Sequence, residues 1–237
     1  MKIGTIKTGA VKAAVIGAAY LALVAVALPA WTDAGPAHSE AGPVLQLDYS
    51  NPSLTPAHWV LTLHEDGSGH FRSERGNAPM DASEDFEAAN VDRDIHVSAE
   101  FAARVFQTIH QKRDFATGCE SHLKVAFQGW KKLTYSGPDG GGTCTFNYSK
   151  DKQIQNLGES LVAVAGAIVE GARLEILLQH DRLGLDKEME YLVEAAGDGR
   201  VQQVCTIRGI LKRLADDPGV LERVRKRARE LLARAEG

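Results

Sequence analysis

The sequence predicts an α+β fold: a small antiparallel sheet with one crossing helix, followed by a helical region of about four helices. Three observations predict it. Between Val44 and Ser149 apolar residues recur at alternate positions, in short runs separated by Gly, Asp and Ser. Within that stretch, residues 99–114 carry their apolar side chains at helical spacing instead. From Asp151 onward the helical spacing takes over and holds to the end of the 237-residue chain. The organisation that follows is an export signal or membrane anchor over 1–31, a linker over 32–43, a sheet-plus-helix domain over 44–149 and a helical region over 150–237.

At the N-terminus, Lys2, Lys7 and Lys12 precede an uncharged run from Ala13 to Trp31, and no acid appears before Asp33. The cationic end stays in the cytoplasm by the positive-inside rule, so the chain beyond Ala30 is expected to be exported. The run approaches the roughly 18–20 residues that cross a bilayer and exceeds the usual signal core of about 7–15. Cleavage near Ala27, Ala30, Ala34 or Ala37 and retention as an anchor both fit; the product is periplasmic, secreted or anchored by its N-terminal helix. Cleavage would move the formal charge from −4 to −7, because three lysines and no acid are lost. A chain this acidic is a poor match for nucleic acid, whose affinity comes mainly from neutralised phosphates. Membrane contact is expected only through the N-terminal segment. The 44% hydrophobic content is that of a folded globular product.

Residues 32–43, rich in Gly, Pro and Ala, read as the linker. "VLQLDYS" then alternates as a half-buried strand, and "HWVLTLHEDGSGHFRSE" gives two strands joined at Asp66, Gly67, Ser68 and Gly69. "RDIHVS" is a further short strand. Ser98 is placed to cap the helix that follows, whose apolar positions are Phe101, Val105, Phe106 and Ile109. "LKVAFQGWKKLTYS" and "TCTFNYS" form another strand pair around "GPDGGG". Cys119 and Cys144 flank this hairpin, and an oxidising compartment permits their disulfide, worth roughly 3 kcal/mol. Cys205 is left unpaired, off the main apolar stripe of its helix, as a small packed residue in a lateral helix contact or as a partly exposed thiol. The open face of this sheet is the place to look for binding.

Beyond Asp151, Ile154, Leu157, Leu161, Val164 and Ile168 form one stripe of a long helix, with Val162, Val169 and Ile176 on another side. A helix apolar on two sides is packed on two sides, so it should join the two parts. Asp186 can cap a third helix containing Met189, Leu192 and Val193. Val204, Ile207, Leu211 and Leu214 mark a fourth, and Asp217–Pro218 reads as the start of the last. The stretch "ILKRLADDPGVLERVRKRARELLA" resembles the helical pair of a HEAT-type repeat at Leu211, Leu214, Asp216, Val224, Arg225, Ala228 and Leu231. That resemblance implies a helical hairpin used for protein contacts. In the order of its elements alone, the first domain is similar to small exported bacterial domains of uncharacterised role and to some protease-inhibitor domains.

Catalytic patterns are incomplete. Ser121–Lys124 and Ser149–Lys152 both spell Ser-x-x-Lys, but Ser-Asp-Asn is missing and the one Lys-Thr-Gly lies at residues 7–9. His58, His64 and His70 are evenly spaced on the first hairpin. His58 and His64 lie about 20 Å apart along an extended strand, too far to share one ion. "SGPDGGGTC" lacks the Gly-Lys-Ser/Thr ending of a phosphate loop. Asn147-Tyr148-Ser149 is a glycosylation acceptor pattern, relevant to a eukaryotic secretory route. Arg223, Lys226 and Arg227 read as a solvated face paired with Glu222 and Glu230; with the acids of residues 81–94 they are the charged patches a partner could use. The expectation is an exported, non-enzymatic protein binding another protein or an envelope component, with no cofactor, metal or catalytic residue assigned. The alternative is a hydrolase or metal-dependent enzyme with dispersed residues, His64, His70 and Glu65 first among them.

Overall fold

The computed structural model describes residues 42–76, 90–115, 118–138 and 140–235. The export segment, nearly all of the linker and part of the acidic stretch at 81–94 lie outside them. Among the described residues six strands form one antiparallel sheet: β1 (Val44–Ser50), β2 (His58–His64), β3 (Ser68–Glu74), β4 (Asp92–His96), β5 (Trp130–Gly137) and β6 (Gly140–Phe146), in the spatial order β4-β3-β2-β1-β5-β6. Among the described residues there are five α-helices: α1 (Ala99–Gln111), α2 (Lys152–His180), α3 (Gly184–Asp198), α4 (Arg208–Asp216) and α5 (Glu222–Arg234). The fold is α+β, as the two periodicities require.

Each strand buries alternate residues, so one sheet face is core and the other meets solvent. Leu45, Leu47, Tyr49, Trp59, Leu61, Leu63, Phe71, Leu133, Tyr135 and Phe146 lie on the covered face, under Phe101, Val105, Phe106 and Ile109 of α1 and the first half of α2. Ser98 caps α1 by accepting from the Phe101 N–H at 3.2 Å. Asp151 caps α2 by accepting from Gln153 and Ile154. Past its midpoint α2 enters a second core with Leu174, Leu177, Leu185, Met189, Leu192, Leu211, Leu214, Val224, Ala228 and Leu231. The helix expected to join the two parts therefore contributes to both cores. Arg93 of β4 adds a two-pronged ion pair to Glu175 of α2, at 2.9 and 3.4 Å.

Several boundaries differ from expectation. The first helix stops at Gln111, not 114, because Arg113, Asp114 and Phe115 take left-handed backbone (φ 50°, 53° and 65°) that turns the Phe115 ring into the core. Asp186 lies inside α3 rather than capping it; Asp181 receives the Leu183 and Gly184 N–H groups instead. Asp217 ends α4 and accepts from Gly219, while α5 starts four residues beyond Pro218. Arg223 and Arg227 are not paired along their own helix: both bind Asp186 of α3, at 2.6 and 2.7 Å. Glu222 takes Arg225 and Arg229. Two packed helices share charges across their seam, which spacing along one helix does not reveal.

Candidate functional site

The histidines lie on the solvent face of the sheet, where cross-strand register sets their neighbours. His58 meets Asp48 at 3.0 Å, and His70 lies between Asp94 (2.9 Å) and Asp92 (3.1 Å). In register, Asp92, Arg72, Val60, Asp48, Lys132 and Thr145 form one row across the face, with opposite charges side by side. Glu65 is elsewhere, 3.8 Å from His110 at the end of α1, whose other ring nitrogen is 3.3 Å from Asp114. The structure therefore does not gather His64, His70 and Glu65 around one point. Among the described residues no group of three His, Cys, Asp or Glu side chains can hold a metal ion. Ser121 and Ser149 are buried and accept backbone N–H groups, from Leu123 and Asp151, in local turns.

A different segment stands out. "LKVAFQG", expected to extend β5, is not a strand; β5 starts at Trp130. The reason is in its neighbours. β1 ends at Ser50 opposite Trp130, and β6 ends at Phe146 opposite Lys131, so residues 123–129 run past both potential partners. Leu123, Val125, Phe127 and Trp130 are consequently 49, 39, 49 and 48% exposed. The Phe127 and Trp130 rings meet edge to face at 6.2 Å. Large apolar side chains thus stand in water along a backbone that has no strand partner among the described residues.

The ends of this segment are held firmly. Cys119 is disulfide-bonded to Cys144 of β6, the pair expected from sequence, with Cα atoms 5.6 Å apart. Glu120 accepts from the Asn147 N–H at 2.8 Å and the His122 N–H at 3.1 Å. Burial alone would raise the Glu120 carboxyl, but the N–H groups of Asn147, His122 and Ser121 outweigh it and hold it below its ordinary value. Asn147 is occupied in the same clamp: its side chain accepts from the Gln128 N–H and donates to the Ala126 carbonyl. At the far end the Tyr49 hydroxyl donates to the Gln128 carbonyl at 2.9 Å. Gly129, at φ +95°, lies against the Tyr49 ring, where any Cβ would collide.

Lys131 follows on the covered face of β5 and is 3% exposed. It lies directly between Tyr49 of β1 and Phe146 of β6, its Nζ 6.0 and 5.7 Å from their ring centroids. The ammonium donates to the Gly129 and Asn147 carbonyls at 3.4 and 3.3 Å, both long for such bonds. Burial pushes its pKa down, against the opposing pull of Glu159 and Glu120. It lines a recess of about 370 Å³ with Gln128, Glu159, Val162, Ala163, Asp198, Gly199 and Arg200. Gly158 of α2 allows the close approach that closes one wall, since a Cβ there would lie 3.0 Å from the Lys131 chain. The sequence held a signal for Lys131 that "KK" obscured: it shares the parity of buried Leu133 and Tyr135. Cys205 is a free, half-buried thiol donating to the His96 carbonyl at 3.7 Å, its pKa raised by burial.

Comparison with protein-family models and with curated proteins finds no match to this chain.

Proposed function

We propose that this protein is an exported, non-enzymatic binding domain that recognises a protein component of the cell envelope through the stapled segment Cys119–Trp130. The observation that carries the reading is the row Leu123, Val125, Phe127 and Trp130, displayed on a backbone clamped at both ends. Clamping lowers the entropy lost on docking, so exposed apolar area is converted into affinity more efficiently. Apolar side chains at positions 123, 125 and 127, with Trp130 beside them, suit an apolar surface on a protein partner. Residues 1–31 would deliver the domain across the membrane or hold it there, in keeping with a disulfide that persists in oxidising compartments.

Saturable binding of the labelled chain to isolated envelope fraction tests this. Binding should vanish when the fraction is treated with protease, and the L123S/V125S/F127S variant should lose it while keeping the wild-type circular dichroism spectrum. Binding that survives protease treatment, or that the variant retains, would overturn the reading. Recovery of the chain in the cytoplasm of its source cells would overturn the export part alone.

A further inference from the structure

Lys131 has a second consequence, independent of the outer face of the segment. It is a primary amine withdrawn from water, under two carbonyls at the long end of hydrogen-bond distance, with no carboxylate in direct contact among the described residues. Yet it lines a recess whose other members, Gln128 and Arg200 among them, reach solvent. Val162 and Ala163 give the recess an apolar wall. Arg200 at its rim is already neutralised by Asp198 (2.7 Å) and Glu194 (3.0 Å). That balance disfavours an anionic ligand and favours a small neutral one.

We propose that Lys131 is an imine-forming lysine and that the recess beside it admits a small neutral aldehyde. The Nζ lone pair attacks the aldehyde carbon, a C–N bond forms, and the carbonyl π electrons move to oxygen. One proton passes from nitrogen to that oxygen, giving a carbinolamine. The nitrogen lone pair then expels the oxygen, which leaves as water with the second nitrogen proton, and C=N remains. Nothing is oxidised or reduced. Glu159 lines the same recess, its Oε1 accepting from the Gln155 side chain at 2.6 Å, and is the carboxylate assigned to carry the proton. The charged and titratable groups around Lys131 are Glu159 of α2, Glu120 of the stapled segment, Tyr49 of β1 and, in the same recess, Asp198 and Arg200; Glu159 and Glu120 favour the ammonium, whereas burial favours the free amine that reacts.

The test uses the full chain at pH 7 with propionaldehyde and cyanoborohydride, which delivers hydride to the imine carbon and fixes it as a secondary amine. Peptide mass spectrometry then follows each lysine separately. Lys124 and Lys132 flank the site and are exposed, so they serve as references within the same molecule. Lys131 should be modified on the order of tenfold faster than either. The excess should disappear when the chain is unfolded in guanidinium, and E159Q should slow Lys131 without changing Lys132. Modification of Lys131 at or below the Lys132 rate in the native chain overturns the proposal, as does an excess that persists after unfolding.

Discussion

The solvent face of the sheet and the stapled segment beside it make opposite use of exposed side chains. On the sheet face, the groups that look chemically suggestive are occupied in place: His70 meets Asp92 and Asp94, and His58 meets Asp48. On the segment, Leu123, Val125 and Phe127 have no such counterpart, and the local bonds go to fixing the backbone at either end. A charged surface whose groups already meet one another has less to gain from a partner, since exposed ion pairs contribute only about 0–1 kcal/mol. A rigid apolar edge has its interaction free energy still to gain. Recognition is therefore expected from the irregular segment, with the regular sheet as its scaffold.

The strongest way to break this contrast is to cut the staple. Cys119→Ser with Cys144→Ser should cost roughly 3 kcal/mol in thermal or denaturant unfolding and abolish envelope binding. Reductant should do the same to the wild-type chain. Gly129→Ala forces a Cβ onto the Tyr49 ring at positive φ, and a loss of about 2–3 kcal/mol is expected by the same measurement. Glu120→Gln removes the charge that holds three backbone N–H groups, at about 1–2 kcal/mol after allowance for solvent screening. The sign is fixed by the direction of the shift. Because the folded carboxyl lies below its ordinary value of 4.5, its stabilisation is complete above that value and is lost as pH falls through the folded pKa. The wild-type chain should thus show an acid-side loss of stability between pH 5 and its folded pKa that Glu120→Gln lacks. At the small end, His70→Ala on the sheet face should change stability by less than about 0.5–1 kcal/mol and leave binding intact.

Legibility in the sequence followed the same divide. The six strands, the Ser98 cap, the double-sided α2 and the Cys119–Cys144 pair follow from periodicity, cap chemistry and spacing, which are local or nearly so. What eluded the sequence depends on where other elements stop. Residues 123–129 alternate like a strand, and only the ends of β1 at Ser50 and β6 at Phe146 deny them a partner. Lys131 is polar by type but core by parity, and two adjacent lysines read more readily as solvated than as one in and one out. Asp186 has the composition of a cap, yet its role is set by Arg223 and Arg227 arriving from a helix 37 and 41 residues away. His64, His70 and Glu65 are close along the chain, but Glu65 lies toward His110 of α1.

The most direct test places a photo-crosslinking phenylalanine analogue at position 127 in one chain and at position 62, the centre of the polar sheet face, in another, each expressed in the source cells. Illumination should join the chain to a single envelope protein from position 127 and not from position 62. Crosslinks from position 62 with none from 127 would contradict the account and return the search to the histidine-bearing face.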